Sequence, residues 1–445
     1  MPFRAGRPAT LRGMERSLRA VLIGTFTLRF STGLTGAMLA FYLADLATAG
    51  TSGIDGKVVG ALSAMFYLAE LVLSPVFGVL ADRIGHHRVM LFGPAFGAVA
   101  VVLTAFTTHV GVLAGTRILE GASTAASVPA ILGFIALATA GDEVLRGKAS
   151  ARFEGATLAG LGAGFIVAPL LFKAIGTNAF LLNAVVYVGS FLIYRYGVAD
   201  TDGAPEARRA RDQGLGRYLA LIRNSHVLLL APTWIAVNAS IGLWFSQSLF
   251  QFSRHNPAFP NQWLLQGFSA EQITFAAIVI AVIFGAGILW WGNRFDRFRR
   301  TTIILFGVLG GLGLVAAGLV VNHAGFGARE SGIVAVAVAL AAIGFAAGLF
   351  LLAGATPAAV GLLADVSEQF PADRGAIMGL YSVFLAIGQI GGSLIGGVVA
   401  DGLGMDGLLL ATGGLLLLAL VPLTRLRGME HYFGPGAPVV LGEGE

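Results

Sequence analysis

The chain has 445 residues, of which 56% are hydrophobic and only 12% charged, a balance that excludes a water-soluble fold and points to an integral membrane protein. Its formal charge is +5, but the cations lie between apolar runs and mainly on one side, which argues against nucleic acid as a partner. There is no cysteine, so disulfides, thiolate metal sites and a cysteine nucleophile are excluded.

A spanning helix needs about 20 mostly apolar residues to cross about 30 Å of hydrocarbon. Six such runs occupy the first half: 20–44, 58–80, 89–108, 111–138, 153–172 and 178–197. Six more follow at 227–250, 272–292, 301–322, 332–360, 376–399 and 405–424. The sequence therefore predicts an all-α membrane protein with twelve transmembrane helices in two six-helix bundles, 20–198 and 226–425. A polar tail, 1–19, precedes the first bundle; a polar segment, 199–225, joins the two; a tail, 426–445, closes the chain.

Cytoplasmic loops carry an excess of Lys and Arg. With the N-terminus inside, 23 of the 29 Lys and Arg fall on that side, and Lys57, Lys173, Arg254 and Arg329 fall on the other. Both termini are then cytoplasmic and the span count is even. A signal peptide is the competing reading of the N-terminus, with Ala47, Thr48 and Ala49 imitating a cleavage site. Arg29 interrupts that apolar region, which is also too long for a signal peptide. Segment 199–225 reads as a flexible linker; the alternative is a binding arm for anionic lipid or protein.

An internal repeat supports the two halves. Shifting the sequence by 214 residues carries Gly78, Asp82 and Arg83 onto Gly292, Asp296 and Arg297, and His109 onto His323. A shift of 228 carries Pro129 onto Pro357, Arg146 and Gly147 onto Arg374 and Gly375, and Gly160 onto Gly388. Parallel repeats of this kind place a substrate site near the midplane and move by rocking one half against the other.

The run from Gly78 through Ala81, Asp82, Arg83 and Gly85 to Arg88 resembles the signature loop after span two of the major facilitator superfamily. The copy at Gly292, Asp296 and Arg297, and the twelve-helix plan, extend that resemblance over nearly the whole chain. His86 and His87 stand where basic residues are usual in that loop. The resemblance implies a conformational latch made of Gly78, Asp82, Arg83, Arg88, Asp296 and Arg297, with Asp82 meeting the start of span eleven near Asp373 to Ala376. The plainer reading is a loop that satisfies the charge rule for cytoplasmic segments.

Four charges lie deep in the first half: Arg29 in span one, Glu70 in span two, and Arg117 and Glu120 in span four. Ionisable groups in hydrocarbon are costly, so they face a cavity or pair, and function is the default reading. Arg117 and Glu120 are three residues apart on one helix face and can pair. The same run resembles the superfamily's span-four motif of proton-coupled exporters, with Glu120 in place of the usual Gln. The exporters' Gly-Pro motif is approximated at Pro169, which follows Ala168. A proton on Glu70 or Glu120 would free an arginine and change the packing of the bundle; the alternative is a pair of structural ion pairs. Asp45 and Glu154, nearer helix ends, read as interfacial.

In the second half Asn238, Trp244, Phe245 and Gln247, Phe345 and Phe350, and Gln389 suggest an aromatic, amide-bearing cavity wall suited to an amphipathic or cationic organic molecule. Glycines 155, 160, 162 and 164, and 388, 391, 392, 396 and 397, read as close-packed surfaces. There is no phosphate-binding Gly-rich loop with a Lys-Ser/Thr end, and the seven His lack ligand spacing. The expectation is a monomeric secondary transporter of the plasma membrane, not an enzyme, with a small-molecule substrate, no cofactor and a proton gradient as its driving force. A lipid or lysolipid flippase, a metabolite uniporter or symporter, and a non-transporting receptor or scaffold are the rival readings.

Overall fold

The computed structural model describes residues 11–50, 53–139, 142–199, 227–295, 297–327, 331–368 and 374–429. Most of the linker, the distal parts of both tails, Asp296 and Asp373 lie outside the described residues. The first half folds as α1 (Leu11–Thr48), α2 (Gly56–Ile84), α3 (His86–Met90), α4 (Phe92–Ala105), α5 (Val110–Ala138), α6 (Glu143–Ile175) and α7 (Asn178–Gly197). The second half follows as α8 (Val227–Phe252), α9 (Ala270–Gly292), α10 (Arg300–Ala324), α11 (Gly332–Ala353), α12 (Ala355–Glu368) and α13 (Arg374–Met429).

Ten helical stretches among the described residues are long and apolar enough to cross a membrane. One of them, Ser382–Gly428, runs to 47 residues, about 70 Å of helix against about 30 Å of hydrocarbon. It bends at Gly404, where φ is 64° and ψ −136°. Only a residue without Cβ adopts that conformation cheaply, so α13 makes two legs, 374–403 and 405–429. Helix starts are set by local polar groups. Asp142 accepts from the Leu145 N–H at 2.8 Å, and Ser269 and Gln272 form a reciprocal capping box on α9. Hydroxyls inside the apolar helices donate to carbonyls of their own helix, as Thr25 does to Val21 and Thr35 to Ser31, both at 2.8 Å. In hydrocarbon no water can serve them.

The chain divides into two compact units, Met1–Ile54 with Met65–Asp212, and Asp55–Ala64 with Gln213–Glu445. In the first, α1 packs along α6. A Cβ at Gly160 would come within 3.0 Å of the Phe30 N atom, and one at Gly164 within 2.7 Å of the Leu34 N atom. From α7, the buried Asn183 side chain donates to the Ser31 carbonyl at 3.0 Å and to Thr35 Oγ1 at 2.7 Å. In the second unit α8 lies along the first leg of α13. A core of Trp234, Trp291, Ile303, Leu363, Leu416 and Leu423 joins α8, α9, α10, α12 and α13.

Candidate functional site

Charges that a bilayer interior would reject are concentrated in the first unit. Arg117 and Glu120, on one face of α5, form a buried ion pair, and the Arg117 guanidinium also lies 4.9 Å from the Phe66 ring centroid. Gly121 brings α2 in: a Cβ there would sit 2.8 Å from Ala69 Cβ and 3.1 Å from the Glu70 N atom. Glu120 Oε1 is buried with no hydrogen-bond partner among the described residues. From α1, Arg29 Nη1 is 3.5 Å from Thr124 Oγ1. Its charge acts on Glu70 and on Glu154. Tyr67 lies in the field of Glu70, Arg117 and Arg29, and Tyr187 in that of Glu120 and Arg117.

The four charges singled out from sequence are thus brought into one region, while Glu154, read there as interfacial, is exposed on α6 within the field of Arg29. Arg29 and Arg117 are set among Glu70 and Glu120, two cations against two carboxylates, the pairing that a low-dielectric interior requires of buried charge.

At the signature loop Gly78 sits beside α5, where a Cβ would be 3.7 Å from Pro129 Cβ. Asp82 faces His86 at 3.6 Å, and His87 is buried with Nε2 2.9 Å from the Tyr194 carbonyl. The two histidines are therefore used inward, while Arg83 and Arg88 are exposed. Of the copy, Asp296 is outside the described residues and Arg297 is exposed. Three residues on, Arg300 and Asp365 pair through two contacts, one of them Nη2 to Oδ1 at 2.9 Å.

In the second unit the proposed wall splits. Asn238 and Gln389 are buried on the seam of α8 and α13, where a Cβ at Gly388 would meet Asn238 Cβ at 2.6 Å; Asn238 Nδ2 donates to the Trp234 carbonyl. Trp244 turns away, its Nε1 donating to Thr412 Oγ1 at 2.9 Å. Phe245 is exposed and Phe345 half-buried. Phe350 packs on Trp290, with ring centroids 5.5 Å apart.

The sequence profile of the Major Facilitator Superfamily matches residues 21–256 and 243–432. The chain belongs to this superfamily. It is a multi-pass membrane transporter acting on a small molecule, not an enzyme. Multidrug resistance protein 2 of Bacillus subtilis (strain 168) is 24% identical over 351 residues, covering 78% of this chain and 81% of that protein. Quinolone resistance protein NorA of Staphylococcus aureus is 27% identical over 182 residues, 39% of this chain and 45% of its own. The solved nucleoside transporter NupG superposes with a TM-score of 0.64 at 15% identity, over 93% of this chain and 98% of its own, a likeness of fold.

Two polar sites of this superfamily member escaped the sequence reading. Within the second unit the first turn of α2 is held by Asp401 at the end of the first leg of α13, which accepts from the Gly56 N–H at 2.7 Å and the Lys57 N–H at 3.0 Å. Gln247 Nε2 donates to the Gly56 carbonyl at 3.0 Å. Just past α8, Arg254 is held below its ordinary value by burial, with the carboxylates of Asp401 and Asp55 opposing that shift. A signal was there: the run from Gly397 to Asp401 repeats Gly78 to Asp82 in four of five residues. The other site is Asp406, which receives Asn322 Nδ2 and His323 Nε2, both at 2.9 Å.

Proposed function

We propose that this superfamily member exports small amphipathic organic molecules across the plasma membrane in exchange for protons, by alternating access. Counting Ser382–Gly428 as two crossings and adding the 26-residue α8 takes the ten spans to twelve. The one-sided placement of Lys and Arg supports both termini lying in the cytoplasm. The printed names of the two resistance-protein relatives support export of drug-like molecules.

One observation carries the coupling: two buried or half-buried arginines, Arg29 and Arg117, set against Glu70 and Glu120 in a single unit. A proton or a cationic group of the cargo at either glutamate weakens its hold on an arginine, and each displaces the other electrostatically. Glu120 Oε1, without a partner among the described residues, is where the proton resides. Its arrival loosens the hold on Arg117, and the bundle's preferred packing changes with it.

Proteoliposomes test this with ethidium as organic cation and uridine as the nucleoside comparison. A pH gradient drives ethidium uptake and leaves uridine unmoved. Replacing Glu70, Glu120 and Glu154 together by Gln lowers gradient-driven uptake about 5- to 150-fold, the range of ordinary coupling free energies, while ethidium–ethidium exchange persists. If gradient-driven uptake survives the triple replacement, the coupling reading is wrong.

A further inference from the structure

Away from the charge cluster, the second unit has a groove of about 540 Å³ between α9, α10 and α11. Its lining includes Trp290, Leu309, Gly313, Ala347 and Phe350. Its floor is the backbone contact of Gly310 with Gly348, where a Cβ at 310 would meet the Gly348 carbonyl at 3.0 Å. At its mouth Leu309, Gly313, Gly344 and Ala347 are exposed. The volume lies within the roughly 300–1,000 Å³ that holds a small ligand. The wall is almost wholly carbon; Trp291 Nε1 already donates to the Phe350 carbonyl at 3.2 Å. An apolar chain suits such a wall, and a polar solute has nothing to bond there.

One end of the groove is different. Trp290 and Trp291 meet edge to face at 4.6 Å within the last turns of α9, the depth at which indoles settle in a membrane interface. The Arg294 guanidinium lies 3.5 Å from the Trp290 ring centroid, and its Nη1 donates to the Trp290 carbonyl at 3.2 Å. Arg297 and Arg299 follow, both exposed. Arg300 is paired with Asp365, whereas Arg294, Arg297 and Arg299 make no ion pair among the described residues. An apolar groove that ends in two edge-to-face indoles and then in several cations is complementary to a molecule with an acyl chain and an anionic head.

We propose that this groove binds an anionic phospholipid, its acyl chain on Leu309, Gly313, Ala347 and Phe350 and its phosphate at Arg294, Arg297 and Arg299. None of these features depends on which molecule is carried.

Native mass spectrometry of the purified full chain, mixed with equal amounts of phosphatidylglycerol and phosphatidylcholine, reads the proposal directly. Phosphatidylglycerol is retained in preference, and Arg294→Ala reduces that preference about fivefold, the usual weight of one basic residue at an anionic surface. A Cβ at Gly313 meets nothing within 4 Å, so the backbone there accepts a side chain, and Gly313→Leu extends into the groove and removes retention of both lipids. Ala347→Phe, also at the exposed mouth, does the same, and unchanged thermal unfolding of either variant shows that the fold persists. Equal retention of the two lipids overturns the anionic site. Undiminished phosphatidylglycerol in both filled variants overturns the groove as its seat. A second copy of the chain that is lost on filling the groove replaces the lipid with a dimer contact.

Discussion

Asp401 accepts from two backbone N–H groups at the start of α2, where the first turn of a helix has donors but no internal acceptors and carries the positive end of its dipole. Asp401→Ala leaves both donors without that partner and costs about 1 kcal/mol, as loss of a helix cap does; thermal unfolding in detergent measures it. The chain has no cysteine, so a single Lys57→Cys reports on the same contact, and its maleimide labelling speeds up several-fold when Asp401 is also replaced. Unchanged labelling would show that Asp401 does not hold that turn. Individual residues were legible from sequence when their partners were near. Arg117 and Glu120 share a helix face three residues apart and could be paired on paper. Asp401 and Gly56 are 345 positions apart, and only the fold brings a carboxylate to that helix end. Glu154 reads as interfacial from its position near a helix end, and it is exposed on α6; nothing local indicated the field of Arg29.

Elements were legible as apolar runs, because a bilayer demands length and hydrophobicity from each crossing. Their breaks were less so. The run 332–360 divides at Gly354 into α11 and α12, and the run 89–108 divides at Leu91 into α3 and α4. Two predicted spans join across Gly404 into α13. Glycine runs read as uniform contact surfaces, yet helical periodicity sorts them. On α13, a Cβ at Gly388 or Gly392 would collide with α8, at 3.0 Å from the Ala239 N atom and 2.7 Å from the Ala239 carbonyl carbon, whereas one at Gly391 meets nothing within 4 Å. Gly392→Leu therefore destabilises by about 1–3 kcal/mol through overpacking, and Gly391→Leu leaves the melting temperature near that of the parent. Equal melting temperatures for the two variants would mean that the seam is not close-packed. On α6 the same rule separates Gly160 and Gly164, in contact with α1, from Gly155 and Gly162, which face open space.

For the whole molecule, the superfamily was readable because the signature loop and its copy lie on fixed punctuation, Gly78 to Arg83 and Gly292 to Arg297, and matching of the family profile over residues 21–256 and 243–432 agrees with that resemblance. The cargo was not readable. Amides and aromatics of the second half go to different faces, Asn238 and Gln389 to one seam, Trp244 to Thr412 and Phe350 to the lateral groove, and type and spacing alone do not announce such a division.

The pairing of Arg29 and Arg117 with Glu70 and Glu120 in the first unit also bears on energetics across the bilayer. If the glutamates take one positive charge at a time, as proposed, a monovalent cation exchanges for one proton with no current, and imposed voltage leaves that flux unchanged. An uncharged cargo exchanged through the same cluster makes each cycle carry one elementary charge, and about 2.3 kcal/mol then enters for every 100 mV. Clamping proteoliposomes with potassium and valinomycin distinguishes the two: ethidium flux stays level, and the flux of a neutral analogue rises or falls with the sign of the potential.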